Sequence, residues 1–312
     1  MKKIIPVLLV VVFIISSLAS CQKDVTFQNI TPTDSTTVPL LKRLYVIDTT
    51  VSATYDTINR GYCYYDSQKR PVKIESYQTD PVNNDTTGTY SFRYFYSGTD
   101  TLAYMSIEGN GFYTNGILTD YSYDTTNYLF SNGKCVYDSS YGLNSLNQQF
   151  YSVNQYQYLP AGKLIIYFTG HSPSYTNTST ANLYQTSDGI DITQQLDTTK
   201  NTSPINNQFY EVINTATYIS NPNPMSKFSN PVRRPRLWDD IGIGSQRAAP
   251  RKLFSQHHCT YDFINGSTVI SHNDWRSTYS YSFRPDGYPS EAREIFSDNG
   301  TLTYLKTIFI YQ

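Results

Sequence analysis

The residues best suited to bind a metal lie close together in the last quarter of the chain. His257, His258 and Cys259 are consecutive, and His272 follows after a short interval. Imidazole and thiolate are ligands that zinc prefers. On a strand, however, His257 and Cys259 would face one way and His258 the other, which separates the ligands. We therefore interpret these residues as partly exposed strand histidines, and we expect no metal and no other cofactor.

The acidic residues form no recognisable pair for hydrolysis of a glycan. Glycoside hydrolases need two carboxylates placed across a sugar. Most aspartates here occupy turn positions, and the glutamates are only Glu75, Glu108, Glu211, Glu291 and Glu294. Of these, Glu291 and Glu294 are predicted to lie on a solvated strand face. The sequence also contains no glycine-rich phosphate loop, no G-x-S-x-G and no H-E-x-x-H. We expect a protein that is not an enzyme, and a glycoside hydrolase remains a weakly supported alternative.

One dense basic cluster stands in a proline-rich segment, residues 221–252. It contains Trp238 and the basic residues Arg233, Arg234, Arg236, Arg247, Arg251 and Lys252. Arginine holds phosphate or carboxylate in a bidentate manner. Arg233, Arg234, Arg236 and Trp238 are therefore the candidate binding residues for an anionic ligand, such as a lipopolysaccharide headgroup or an acidic glycan. The alternative is a surface loop that crosses one end of the sheet, with Trp238 packed into it and the charges solvated.

The first 20 residues have the layout of a secretory signal peptide. Lys2 and Lys3 precede an apolar run over 4–15, which is too short for a spanning helix, and the small residues that follow end at Cys21. Leu18-Ala19-Ser20-Cys21 resembles a lipobox, which implies that Cys21 is lipidated and becomes the mature N-terminus. Residues 21–40 are polar and threonine-rich, as expected of a lipidated tether. We expect lipid anchoring at the outer membrane, with the periplasmic or extracellular face undecided.

Composition predicts strands for the remainder, residues 41–312. The chain has 30 tyrosines against 3 methionines and 2 tryptophans, and tyrosine and threonine favour strands. Removal of the signal peptide takes away two lysines and no acid, which leaves 22 basic and 25 acidic residues, a net charge of −3. This balance predicts no nucleic-acid partner.

The three remaining cysteines share one local pattern. Cys63, Cys135 and Cys259 each begin a Cys-x-Tyr-Asp motif. On a strand, residues two apart share a face. We interpret the motif as a small buried residue at a repeated structural position, in preference to a disulfide framework.

A degenerate hairpin repeat contains this motif. An apolar residue, any residue and an aromatic residue precede a turn with Asp, Ser, Asn or Gly, as in 94–98, 121–124, 128–134, 156–163 and 281–289. Alternation that ends in Asn-Gly or Asp-Gly is a strong hairpin signal. The hairpin units predict an all-β protein, and because their spacing is uneven we expect an irregular meander and not a strict solenoid. In this protein, an antiparallel meander of hairpins forms a curled or barrel-like sheet.

These tyrosine-rich hairpins resemble the YD repeats of RHS-type shells. Together with the lipobox and the proline-rich interruption, they resemble a group of Bacteroidota lipoproteins of unknown function, the DUF4595-like families. The resemblance implies an antiparallel β-meander and no established catalytic residues. In surface lipoproteins of that phylum, acidic residues follow the lipidated cysteine, and here only Asp24 does.

The preferred function is therefore non-catalytic binding of a glycan or another envelope component. Exposed tyrosines stack well on sugars. A structural or adhesive protein that binds a protein partner is the alternative. An exposed aromatic platform would favour glycan binding, and a carboxylate pair in a cleft would favour hydrolysis.

Overall fold

Side chains alternate between the two faces along the strands, and β-bulges interrupt this alternation locally. The computed structural model describes residues 39–50, 56–80, 85–144, 146–171, 176–185, 191–201, 208–226 and 252–312. In β3, Ile74 and Ser76 are buried, whereas Lys73, Glu75 and Tyr77 point to the other face. This period of two lets one face pack while the other meets water. Within the described ranges, no helix is long and apolar enough to cross a bilayer.

Sixteen antiparallel strands follow one another around a closed barrel. Each strand pairs with its neighbours in sequence, and β1 pairs with β16 to close the ring. The strands are β1 (Leu41–Asp48), β2 (Asp56–Tyr65), β3 (Pro71–Thr79), β4 (Thr86–Tyr96), β5 (Ala103–Thr114), β6 (Ile117–Ser131), β7 (Lys134–Asn144), β8 (Gln149–Tyr158), β9 (Lys163–His171), β10 (Thr176–Gln185), β11 (Ile192–Asn201), β12 (Gln208–Pro222), β13 (Lys252–Asn265), β14 (Thr268–Phe283), β15 (Pro289–Asp298) and β16 (Thr301–Tyr311). The predicted all-β meander is confirmed. Within residues 171–207, the structure describes the strands β10 and β11.

The inward side chains form a continuous core at one end of the barrel. This packed end carries the turns that follow β2, β4, β6, β8 and β14, at 66–70, 97–102, 132–133, 159–162 and 284–288. The core there includes Leu44, Ile74, Phe92, Leu164 and Phe309, all buried. Full burial of such a side chain contributes about 1.5–3 kcal/mol. Barrels of this strand number can enclose a water-filled channel, but here side chains fill the interior at the packed end.

Inward residues at the opposite end of the barrel are open to solvent. This far end carries the turns at 115–116, 266–267 and 299–300. Gln78, Phe112 and Ser271 point inward near it and are exposed. Both ends of the strand-forming chain lie at the packed end, where the amide of Gln312 donates to the carbonyl of Leu40 at 2.9 Å. The barrel is thus closed by side chains at the packed end, beside Leu40 and Gln312, and open to solvent at the far end.

A repeated tyrosine latch fastens the packed end. A tyrosine at or near the end of an even-numbered strand donates its hydroxyl to a carbonyl near the start of the preceding strand. The five pairs are Tyr65 to Leu41 (3.0 Å), Tyr96 to Pro71 (2.6 Å), Tyr158 to Cys135 (2.9 Å), Tyr281 to Phe254 (2.7 Å) and Tyr311 to Pro289 (2.8 Å). The unit that each latch closes is a hairpin with its turn at the far end. It is therefore offset by one strand from the predicted repeat.

Basic residues in or just after the turns of the packed end also have a structural role. Arg70, Lys134 and Arg284 lie over the rings of Tyr96, Tyr158 and Tyr311 at 4.4, 4.8 and 4.6 Å from the ring centroids. Such cation–π contacts add to the latch of the hairpin that follows each turn.

The prediction for the cysteines is confirmed in part. Cys63, Cys135 and Cys259 are free and buried. They do not occupy one repeated position, because Cys63 lies near the end of β2, Cys135 starts β7 and Cys259 lies in the middle of β13. A bulge at Val136 also turns Tyr137 away from the face of Cys135. The three motifs therefore share a buried cysteine, but they do not occupy equivalent positions in the barrel.

Candidate functional site: an aromatic groove on the outer wall

A groove runs across the outward face of strands β3 to β6. Its floor consists of Gly109 and Gly111 on β5 and of Ser91 and Thr89, their cross-strand partners on β4. These four residues point outward from the barrel in two parallel rows. The groove has a volume of about 370 Å³. Because three strand spacings separate β3 from β6, its span is about 14 Å.

Both glycines are required for the shape of this floor. A methyl group on Gly109 would lie 3.1 Å from the hydroxyl of Ser91. On Gly111 it would lie 2.8 Å from the hydroxyl of Thr89 and 3.2 Å from Leu118. Glycine inside a strand weakens it and often marks the close approach of another group. Here the two glycines leave a depression between taller side chains.

Aromatic side chains form the walls of the groove. Tyr77 on β3 stands on one side, and Tyr121 on β6 pairs directly with Gly111 on the other. Tyr77 is 36% exposed and Tyr121 is 43% exposed. The ring of Tyr77 meets that of Tyr62 edge to face, with centroids 6.0 Å apart, which fixes its position. Tyr113 and the exposed Leu118 complete the lining.

A single carboxylate, Glu75, lies at one end of the groove. It forms an ion pair with Lys73 and accepts a hydrogen bond of 3.0 Å from the hydroxyl of Tyr64. Partial desolvation raises the pKa of Glu75, but the hydrogen bonds from Lys73 and Tyr64 outweigh it and hold the pKa below its usual value. Glu75 is therefore an anion and a hydrogen-bond acceptor at neutral pH, and it does not act as a proton donor.

The carboxylates on the neighbouring strands β5 to β7, Glu108, Asp124 and Asp138, face the interior of the barrel. Glu108 and Asp124 are cross-strand partners on the inward face of β5 and β6. Asp138 accepts hydrogen bonds from Asn154 at 2.8 Å and Tyr156 at 2.5 Å. Since the sheet itself separates these groups from the groove, a sugar in the groove cannot reach them.

Glu294 also faces inward, which corrects the prediction that it shares a solvated face with Glu291. It accepts a hydrogen bond of 2.6 Å from Ser277, whereas Glu291 points outward to Lys306. Residues three apart on a strand lie on opposite faces.

The histidines follow the predicted split between the two faces. His257 and Cys259 point inward from β13, and His258 points outward. His258 lies 3.0 Å from Asp274, and His272 lies 2.5 Å from Asp262 on the outward face. In the described part of the chain, no three His, Cys, Asp or Glu side chains are placed to hold one metal ion.

The sequence-predicted binding residues lie outside the described part of the chain. This applies to Cys21 and to Arg233, Arg234, Arg236 and Trp238. Of the insertion at 221–252, the structure describes only 221–226 and Lys252, which pairs with Pro222 at the packed end. The groove was not among the sequence predictions. The signal for it was the Gly109-x-Gly111 alternation in β5, followed by Tyr121 and Tyr123 on β6.

No protein-family model and no curated protein matches this chain. Two solved structures with similar chains are porin-like proteins. The one from Bacteroides vulgatus is 12% identical, with a TM-score of 0.48, and the match covers 88% of this chain and 99% of that one. The one from Bacteroides uniformis is 12% identical, with a TM-score of 0.36, and the match covers 87% and 98%. Both TM-scores lie below 0.5. The assignment of a closed barrel depends only on the strand pairing within this chain.

Proposed function

We propose that this protein is an envelope lipoprotein that binds a glycan in the outer groove and does not cleave it. The observation that carries the proposal is the pair of exposed tyrosines, Tyr77 and Tyr121, on either side of a floor of glycine and hydroxyl residues. Tyrosine offers an apolar ring for the face of a sugar and a hydroxyl for its edge. The floor supplies further hydrogen-bonding groups from Ser91 and Thr89.

The groove favours this function over the two alternatives. A purely structural protein gives no reason for two weakening glycines beneath exposed aromatic rings. A glycoside hydrolase would need a second carboxylate across the groove from Glu75. The carboxylates Glu108 and Asp124 are on the wrong face of the sheet. A lipid on Cys21 would tether this binding surface to the membrane, since two or more acyl chains hold a protein firmly.

Replacement of the two wall tyrosines tests the proposal. We expect Tyr77→Ala with Tyr121→Ala to weaken binding of the best ligand from a glycan panel by about tenfold or more, because each ring contributes about 0.5–1.5 kcal/mol beyond its burial. Isothermal titration calorimetry with the mature chain measures this. The matched control is Tyr167→Ala on β9, which removes an equally exposed tyrosine far from the groove. If the double variant and the Tyr167→Ala control bound the glycan equally well, the groove would be ruled out as a glycan site. The same would follow if the wild-type chain bound no glycan of the panel.

A further inference from the structure

The outward face beside the groove carries an unusual set of basic residues. Arg43 on β1, Arg60 on β2, Lys73 on β3 and Arg93 on β4 all point outward, and we call these four the basic patch. Lys73 and Arg93 are direct cross-strand partners. Arg43 is a diagonal neighbour of Arg60, because Arg43 pairs with Tyr62, two residues from Arg60 on β2. The three arginines are exposed. Four cations therefore lie on four consecutive strands of one wall.

The positive charge of this patch is largely uncompensated. Glu75 is the acid within it, and Glu75 is paired with Lys73. Among the residues that the structure describes, Arg43, Arg60 and Arg93 form no ion pair. Arg43 instead lies over the ring of Tyr62, with its guanidinium carbon 5.5 Å from the ring centroid.

Three basic residues elsewhere on the outer wall have acidic partners, whereas Lys163 on β9, like Arg43, lies over a tyrosine ring. Arg276 contacts Asp274 at 2.7 Å, Arg293 contacts Glu291 at 2.9 Å and Lys306 contacts Glu291 at 2.7 Å. Like charges on neighbouring strands repel and are destabilising when nothing lies between them. The contrast indicates that the basic patch is arranged for an external anion.

The patch is continuous with the groove. Arg60 is the direct cross-strand partner of Tyr77, the wall tyrosine on β3. The row that begins with Arg43 continues through Tyr62 and Glu75 to Ser91 and Gly109 on the floor. Directly opposed side chains have Cβ atoms about 4.5–5.5 Å apart. A ligand stacked on Tyr77 therefore lies within reach of the guanidinium of Arg60.

We propose that the ligand is an anionic glycan, whose sugar rings stack on Tyr77 and Tyr121 while Arg43, Arg60 and Arg93 bind its carboxylate, sulfate or phosphate groups. This inference rests on the proposed function and specifies its ligand class. Guanidinium groups bind such oxyanions in a bidentate manner. An anionic lipid surface is the less suitable partner, because the patch lies on the side wall beside an aromatic groove. The termini, and with them any tether, leave from the packed end.

Paired neutral and acidic polymers test the proposal on the mature chain. Polygalacturonate and its fully methyl-esterified form share one backbone and differ in charge. We expect the acidic polymer to bind at least about tenfold more tightly at low salt, and the difference to shrink as salt screens the charges. The variant with Arg43→Gln, Arg60→Gln and Arg93→Gln should lose this preference. The control Arg276→Gln should keep it, and thermal melting verifies that both variants are folded.

The outcomes separate the two proposals. Equal affinity for both polymers would overturn the anionic specificity and leave glycan binding in place. Failure of both polymers and of the wider glycan panel would overturn both. A third outcome is binding to phosphatidylglycerol vesicles but to no glycan. If the triple variant abolished that binding, the proposal would be overturned and the basic patch would be assigned to lipid headgroups.

Discussion

At the scale of single residues, tyrosine has three distinct uses in this molecule. One group, including Tyr94 and Tyr156, fills the core and is buried inside the barrel. A second group, including Tyr158, forms the latches of the packed end. A third group, including Tyr77 and Tyr121, stands exposed on the outer wall. Composition alone revealed the excess of tyrosine, but only the direction of each side chain separates packing from binding.

The latch hydroxyls are expected to contribute measurably to stability. Burial raises the pKa of Tyr158, so the hydroxyl stays protonated and donates to the carbonyl of Cys135. We expect Tyr158→Phe to lower the free energy of unfolding by about 1–2 kcal/mol, because a half-buried carbonyl loses its donor. Urea denaturation measures this change.

The control for the latch is Tyr167→Phe, whose hydroxyl donates to Gln157 on the exposed surface. Water can replace that partner, so the free energy of unfolding should change by less than about 0.5 kcal/mol. If the two variants were equally stable, the latch would have no role in stability beyond its ring packing.

At the scale of elements, turn chemistry determines where the strands reverse. Asn132 and Gly133 connect β6 to β7 with φ angles of 49° and 70°, the left-handed conformation of a type I′ turn. The sequence predicted this hairpin from its Asn-Gly step. The turn from β8 to β9 has Ala161 in the same region, at φ 60°. Alanine is strained there, since it lacks the freedom of glycine.

These two turns should respond in opposite directions to exchange of glycine and alanine. We expect Gly133→Ala to lower the free energy of unfolding by about 1–2 kcal/mol and Ala161→Gly to raise it by up to about 1 kcal/mol, because left-handed backbone disfavours a Cβ atom. Denaturant unfolding of both variants beside the wild-type chain measures the difference. A loss of stability in both would mean that the strain at Ala161 is offset by its contacts.

The sequence predicted local structure, but it did not predict which side chains meet across neighbouring strands of the barrel. The period of two and the turn residues predicted strands such as β3 and β9 and the hairpin at Asn132 and Gly133. The groove depends on Gly111 meeting Tyr121 and on Tyr77 lying two strands beyond Gly111. That juxtaposition follows from strand register, which bulges such as the one at Val136 shift in ways that no local motif reports.

At the scale of the whole molecule, the outer wall of the barrel carries charged and polar side chains among its exposed tyrosines. Charged side chains point outward near the middle of several strands, as do Arg60 on β2, Arg276 on β14 and Lys306 on β16. On the opposite side of the ring, Gln155 and Asn182 point outward. Barrels that span membranes carry an apolar outer band about 25 Å tall. An outward arginine or lysine at the bilayer midplane costs about 2–4 kcal/mol.

We therefore expect the lipid proposed on Cys21, and not the barrel wall, to hold the protein at the membrane. The mature chain with Cys21→Ala should remain in the aqueous phase without detergent, whereas the lipidated protein should partition into the detergent phase of a Triton X-114 separation. Circular dichroism should show the same strand content for both. Because Leu40, near the start of the described chain, lies at the packed end, a lipid attached through the preceding residues would leave the far end and the groove accessible. A Cys21→Ala protein that still required detergent would place the barrel itself in the bilayer, and the groove would then face lipid.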